Sequence, residues 1–450
     1  MNTATIRRSA SLLVILVSAA GAVWGEIVTI RPSQEGHVTV DDDGSSVAFS
    51  SIPSAGDSTN GHFLRSLATF DLSFLPPGAE ISSAVIHTRI GALYGNPAAL
   101  GPLTVARVPE TRGQPSTDIQ TSWATLRLYE DPTPSTGVVA PGEDLSADLS
   151  PAFEGVFPSP ESSPDPGRAV IRFQFEDDNN GDDTDDFVYF QDTVLELDVR
   201  LPEPITERPV NRHAKSCIPV VASLPGAMGT SWTTELHITA RYPASVWLYF
   251  TETGADGATD FSVRRVDLGM WDTVRYADVL PDLFGLQRTK GWIEVFSTNP
   301  GVTINARVAN IGGEGSYGQT VPMIGELKLL RYVGPRFDDR YRRLVNLVMM
   351  DSDNRTNIGL VNLGPSLASV EVTAMGPDGP FLGHTTVSLG PFEHRQIDRL
   401  ETVIPQADGA GLIGLSFEMV SDDAPWLDRG VAVYVSRVDN ATGDAVFVLP

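Results

Sequence analysis

The densest run of reactive side chains in this 450-residue chain is EDDNNGDDTDD, residues 176–186, with seven carboxylates and no base in eleven positions. Crowded negative charges repel, and a divalent cation relieves the repulsion. Ca2+ accepts about six to eight oxygen ligands in flexible geometry, and extracellular modules hold it at roughly 10⁻⁴–10⁻³ M. Set against the EF-hand pattern, Asp178 falls at the third position, Asn180 at the fifth and Gly181 at the sixth, but Glu176 stands at the first and Phe187, which cannot ligate, at the twelfth. The run is therefore not an EF-hand. It reads as a solvated acidic hairpin tip, with a looser Ca2+ loop at Asp178, Asn180, Asp182 and Asp185 as the metal-binding alternative.

Signatures of catalysis are missing from the sequence. The seven histidines (37, 62, 87, 213, 237, 384 and 394) show no HExxH or close metal-ligand spacing. GEGSYG (313–318) has Glu314 where a nucleophile elbow needs its first glycine. No phosphate-binding glycine loop joins a strand to a helix. A glycosidase carboxylate pair is defined by its separation in space, so the acids cannot be sorted by position alone. The expectation is a non-enzyme, the competing class being a polysaccharide-active enzyme with an unrecognised carboxylate pair. Tryptophans 123, 232, 247, 271, 292 and 426 could stack on sugar rings. Trp247 and Tyr249 alternate with Val246, Leu248 and Phe250, so that row is either a binding platform or, as expected, a contact between adjacent domains.

Residues 1–25 carry Arg7 and Arg8 ahead of an apolar stretch and small residues, the form of a secretory signal peptide. No later stretch approaches a membrane span. Acids outnumber Lys and Arg by 57 to 32. Such a surface repels nucleic acid and anionic membranes. Cys217 is the single cysteine, which excludes a disulfide scaffold and reads as a buried, idle thiol. The compartment expected is extracellular or periplasmic.

The elements that would position any site are strands. In RAVIRFQF (168–175), Ala169, Ile171, Phe173 and Phe175 oppose Arg168, Arg172 and Gln174. The same period of two recurs at Leu195, Leu197 and Val199, at Leu236, Ile238 and Ala240, and at Val302 through Val308. The one helical candidate, Ala277–Phe284, is limited by Pro281 to a turn or two. The chain divides at Leu201–Lys215, which is Pro-rich, and at the basic Leu329–Arg343. The resulting expectation is an all-β protein of three serial β-sandwich domains: 26–205, 217–330 and 343–450.

The last two domains read as copies of one unit. WTTELHITA (232–240) matches RTNIGLVNL (355–363) at an offset near 124. YADVL…GWIEV (276–295) matches QIDRL…GLIGL (396–415) at 120, and NARVAN (305–310) matches YVSRVDN (434–440) at 130. At about 100–110 residues each, they have the size of immunoglobulin-like sandwiches. IPVVASLPG (218–226), DVLPDLF (278–284), YGQTVP (317–322) and VDNATGDAVFVLP (438–450) together resemble a tandem β-sandwich pair of secreted bacterial proteins, a resemblance that implies fold and location but no chemistry.

RSLATFDLSFLPPGAEISSAVIHTRI (65–90), with TSWATL (121–126), DLSADLS (144–150) and TVLELDV (193–199), resembles the DNRLRE-type, disaggregatase-related domain. That family overlaps carbohydrate-binding modules, so the resemblance implies a β-sandwich with a polysaccharide as a candidate ligand. In this sequence the early strand survives only as GHVTV (36–40), and Ala124 replaces the family's Asn after Trp123. Read by itself, the motif is structural. Asp71 and Ser73 form local side-chain turns after a strand, and Pro76-Pro77-Gly78 turns the chain back. The expected function is a secreted, non-catalytic binding or structural protein, its partner an extracellular polysaccharide or a cell-surface protein. A purely adhesive scaffold is a further alternative.

Overall fold

The computed structural model describes residues 26–40, 46–59, 62–100, 103–108, 133–134, 141–153, 168–175, 182, 184–202, 205, 208, 216–226, 229–312, 315–325, 328–330, 343–377, 379–420, 430–440 and 444–450. The signal-peptide segment therefore lies outside the described residues, as do Trp123, Trp426, Asp178 and Asn180. Among the described residues the regular secondary structure is almost entirely strand, and no helix is long and apolar enough to cross a membrane.

The N-terminal body contains β1 (Glu26–Ile30), β2 (Gln34–Val40), β3 (Ser46–Ser50), β4 (Ser54–Asp57), β5 (Phe63–Asp71), β6 (Glu80–Tyr94), β7 (Leu103–Val108), β8 (Thr133–Pro134), β9 (Asp144–Asp148), β10 (Arg168–Phe175) and β11 (Asp186–Arg200). One layer runs β8-β7-β10-β5 and continues through β2 to β3; the other joins β9, β6 and β11, with β1 on the free edge of β11. The short β4 pairs with both β5 and β11 and forms the corner between the layers. Phe70, Ile171 and Phe173 from one layer share a core with Val28, Phe190, Leu195 and Leu197 from the other. The Phe173 and Phe190 rings lie 4.8 Å apart across it.

β10 coincides with RAVIRFQF, and Ala169, Ile171, Phe173 and Phe175 point into the core. Arg172, expected on a wet face, is only 3% exposed. Its cross-strand neighbour on that face, Leu67, is also fully buried, so the reverse face is covered at this point. The Asp71 turn forms as its side-chain chemistry dictates: Oδ1 accepts the Ser73 backbone N–H at 2.9 Å and also the Ser73 hydroxyl.

The second body holds β12 (Ser216–Pro225), β13 (Ser231–Ala240), β14 (Ala244–Glu252), β15 (Ser262–Leu268), β16 (Thr273–Tyr276), β17 (Thr289–Ser297), β18 (Val302–Gly312), β19 (Gly315–Pro322) and β20 (Ile324–Gly325). The third holds β21 (Arg343–Met350), β22 (Asn354–Asn362), β23 (Ala368–Met375), β24 (Phe381–Leu389), β25 (His394–Ile397), β26 (Gly411–Met419), β27 (Val431–Asp439) and β28 (Ala445–Val448). Layers ordered β15-β14-β17-β12 and β16-β13-β18-β19 in the second correspond strand for strand to β24-β23-β26-β21 and β25-β22-β27-β28 in the third. The helical candidate is a single turn, Leu280–Phe284, and the equivalent turn begins at Leu400. Both leucines are fully buried.

Register corrects the sequence alignment of the two copies. Thr234 Oγ1 donates to Ala222 O at 3.0 Å, and Thr356 Oγ1 donates to Met349 O at 3.0 Å, so β13 and β22 are related by 356 − 234 = 122 residues. β12 and β21 bulge at the same place, between Ile218 and Val221 and between Val345 and Val348. Just past these bulges Val221 opposes Gly291 and Val348 opposes Ile413, giving 413 − 291 = 122 rather than 120. Leu236 opposes Ala306 while Ile358 opposes Val435, giving 435 − 306 = 129 rather than 130. A one-residue slip reverses every side chain of a strand, so Arg307 corresponds to Ser436 and not to Arg437.

Candidate binding site

The outer face of the β15-β14-β17-β12 sheet is where the three bodies meet. Trp247 and Tyr249 are buried there to 1% and 0% exposure, and with Phe296 they belong to the N-terminal body's hydrophobic cluster. Phe74, from the motif that begins at Arg65, stacks on Trp247 with centroids 4.8 Å apart. The row is thus an interdomain contact and not an open platform. At the other end of the sheet, Cys217 and Trp292 pack against Val361, Leu363, Phe392 and Ala432 of the third body. Trp292 Nε1 donates to Phe392 O at 3.2 Å.

Between these contacts the linker inserts Arg208. Its Nη1 donates to Glu294 Oε2 at 3.1 Å and its Nη2 to Thr251 Oγ1 at 2.6 Å. Its guanidinium carbon lies 4.9–5.6 Å from the ring centroids of Phe392, Trp292, Phe261 and Tyr249. Burial, above all, pushes the Arg208 pKa down, and Glu294 opposes that shift. Burial drives the Cys217 thiol well above its ordinary range, and the Glu294 carboxylate adds to the effect. Tyr249 is likewise raised, chiefly by burial. A Pro-rich linker composition gave no sign of this pin.

The acidic run is split by what the structure describes. Asp182 Oδ1 accepts the backbone N–H and hydroxyl of Thr184 at 2.9 and 2.6 Å, a local turn. Asp185 Oδ1 accepts the Thr59 backbone N–H at 2.8 Å. The two are exposed, whereas Asp186 is buried, receives the Asn96 backbone N–H and donates its own N–H to Asp57 Oδ1 at 3.2 Å. Among the described residues no three His, Cys, Asp or Glu side chains converge on a metal-sized site. Asp178 and Asn180, which the Ca2+ expectation also needs, lie outside the described residues.

An exposed aromatic surface lies elsewhere, on the junction of the first two bodies. Two guanidinium groups lie over the Tyr242 ring, Arg31 at 4.3 Å and Arg241 at 5.2 Å from its centroid. Arg241 continues to Trp271 at 6.0 Å, completing an Arg-Tyr-Arg-Trp ladder. Trp271 is 67% exposed, its neighbour Met270 is 59% exposed, and Trp271 adopts φ +60°. A bulky non-glycine residue rarely occupies the left-handed region. The turn is held by Gly269 N–H donating to Asp272 Oδ2 at 2.7 Å and Ala240 N–H donating to Asp272 O at 3.0 Å.

At its Arg31 end the ladder borders a cleft of about 250 Å³ lined by Asp71, Ser73 and Phe74 of the first body and by Asn299 and Pro300 of the second. Asn299 is 2% exposed. Its Oδ1 accepts the Gly301 N–H at 2.8 Å, while its Nδ2 is a buried donor without an acceptor. An unpaired buried donor costs about 1–3 kcal/mol and is relieved by a ligand or water oxygen. Sequence reading missed Arg31, Arg241, Tyr242 and Asn299 as site residues. The visible trace was Met270-Trp271, two large apolar residues in a Gly…Asp turn where polar ones are the rule.

No family model matches the chain, and no curated protein matches it. Among solved structures it is similar to a candidate beta-galactosidase from Bacteroides fragilis, at 8% identity and a TM-score of 0.17, over 68% of this chain and 41% of that one. This chain thus spans less than half the length of that neighbour, and a likeness so slight carries no argument about activity.

Proposed function

We propose that this is an exported, non-catalytic binding protein that holds a polysaccharide at the junction of its first two sandwiches. The single observation supporting this reading is Trp271, presented to solvent in a left-handed turn at the end of a cation–π ladder. Sugar rings stack their C–H faces on such aromatics, while arginines and the Asn299 amide supply donors for ring hydroxyls and acidic substituents. A bacterial exterior or periplasm as its location, and the DNRLRE-like assignment of the first body, belong to the same proposal and draw on the leader-like first 25 residues and the FDLS motif. The turn chemistry of Asp71 and Ser73 needs no ligand.

The test is a glycan array with the full mature chain, run beside a turnover assay on the same glycans. Retention without product, reduced about tenfold or more by Trp271→Ala and by Arg241→Gln, supports the reading. A nucleobase stacked on an aromatic side chain gains about 1–3 kcal/mol, and a tenfold loss of sugar affinity corresponds to about 1.4 kcal/mol. Product release that a carboxylate-to-amide change abolishes would establish the enzyme instead.

A further inference from the structure

A second cleft, of about 260 Å³, opens between the two related sandwiches and shares no residue with the Trp271 surface. Its wall is largely apolar, with Val220, Leu224, Val308 and Val438, and carries polar groups from both copies: Lys290 and Gln319 from one, Arg355, Asn357 and Asp398 from the other, beside Trp232. It is slightly smaller than the roughly 300–1,000 Å³ of drug-sized ligand pockets, which suits a single sugar residue better than a chain.

Two features of this wall point to a ligand. First, two of its amide oxygens are unspent, although Gln319 Nε2 donates to Ser436 Oγ at 3.4 Å. Asn357 is 9% exposed and its buried Oδ1 receives no donor; the buried Oε1 of Gln319 receives none either. Buried acceptors in this state call for hydroxyl or N–H donors from a guest. Secondly, its charge is opposite to that of the protein. In a chain of net charge −25, the cleft carries two cations against one anion. Asp398 meets Lys290 at 3.6 Å and also accepts from Gln396 at 2.7 Å. Arg355 uses one nitrogen on the Asn440 amide oxygen at 2.9 Å; the Asp398 and Glu401 carboxylates and the Arg399 guanidinium act on it electrostatically, but among the described residues no carboxylate forms a salt bridge with it. Its planar fork suits a carboxylate. Trp232, half-buried at the end of β13, offers the apolar surface on which a pyranose ring rests.

We infer that the cleft between the repeats binds one uronic-acid residue, its carboxylate on Arg355 and Lys290, its hydroxyls donating to the Asn357 and Gln319 amides, and its ring against Trp232. The site exists only where the duplicated sandwiches face each other, so neither copy alone would carry it.

The experiment is calorimetric titration of the full mature chain at low salt with D-glucuronate and, separately, D-glucose, which differs from it at the carboxylate carbon. Saturable heat is expected from glucuronate at millimolar concentrations, with glucose weaker by about tenfold or more. Arg355→Gln and Lys290→Gln should each weaken glucuronate by about tenfold and leave glucose unchanged, with thermal melts confirming that the variants fold. Should Arg355→Gln lose its cooperative melt, Lys290→Gln carries the comparison. Equal affinity for the two sugars, absence of heat from both, or folded variants that bind glucuronate as the parent does would overturn the inference. Trp271→Ala should leave this binding intact, which separates its failure from that of the polysaccharide reading above.

Discussion

The guanidinium of Arg208 and the carboxylate of Glu294 lie 3.1 Å apart with both side chains 1% exposed. Arg208 comes from the linker and Glu294 from β17, on the one sheet face that also meets the N-terminal body through Trp247 and the third body through Trp292. A pair so placed is more than a link between two elements. Phe392 of the third body roofs the same guanidinium, so a single buried cation is touched by linker, second and third bodies together.

Removing the cation leaves Glu294 buried with its main charge partner gone. Arg208→Ala is expected to destabilise the protein by about 3–5 kcal/mol, read from urea or thermal melts. Replacing both members by apolar residues of similar volume (Arg208→Met with Glu294→Leu) should recover most of that loss, because the desolvation cost of the two charges disappears with their attraction. A double variant as unstable as the single one would mean that the pair's other hydrogen bonds, to Thr251 among them, carry its weight.

Phe392 is held at φ +49° and 3% exposure against Gly257. A Cβ at position 257 would lie 2.4 Å from the Phe392 carbonyl oxygen, which is backbone and cannot rotate away. Gly257→Ala is therefore expected to pry the second and third bodies apart, at about 1–3 kcal/mol. Cys217 lies within that contact and supplies the readout. In the parent its buried thiol should resist a thiol reagent until the protein unfolds; in Gly257→Ala it should label faster under native conditions.

Strand content was legible because period-two patterning maps directly onto burial, as RAVIRFQF and the Leu236, Ile238, Ala240 stripe show. The duplication was legible too, yet its register was not. A bulge in β12 and its twin in β21 leave no mark in residue type, and loop lengths then shift the true correspondence by one or two residues. The Trp247 and Tyr249 row was correctly suspected of meeting another domain. The Arg208 pin and the Arg31–Tyr242–Arg241–Trp271 ladder were out of reach, since both join residues far apart in sequence and depend on how whole sandwiches dock.

His394 gives the interface a pH dependence. The ring is fully buried; Nδ1 lies 2.8 Å from Thr253 Oγ1 and Nε2 lies 3.0 Å from Tyr434 Oη. Burial, with a smaller contribution from the nearby Lys290, lowers its pKa from 6.5 to about 3. The unfolded chain therefore binds the proton more readily than the folded one. Its contribution is fully present above pH 6.5 and is lost as pH falls toward 3, by about 1.4 kcal/mol per pH unit. Between pH 6.5 and 5 ordinary carboxylates titrate little, so the slope there belongs mainly to histidine. Melting temperature measured across that window should fall for the parent, and the fall should be markedly shallower for His394→Gln, whose amide keeps a donor and an acceptor but takes up no proton. Parallel slopes for the two proteins would place the acid sensitivity elsewhere, with His37, half-buried and also shifted downward chiefly by burial, the next group to replace.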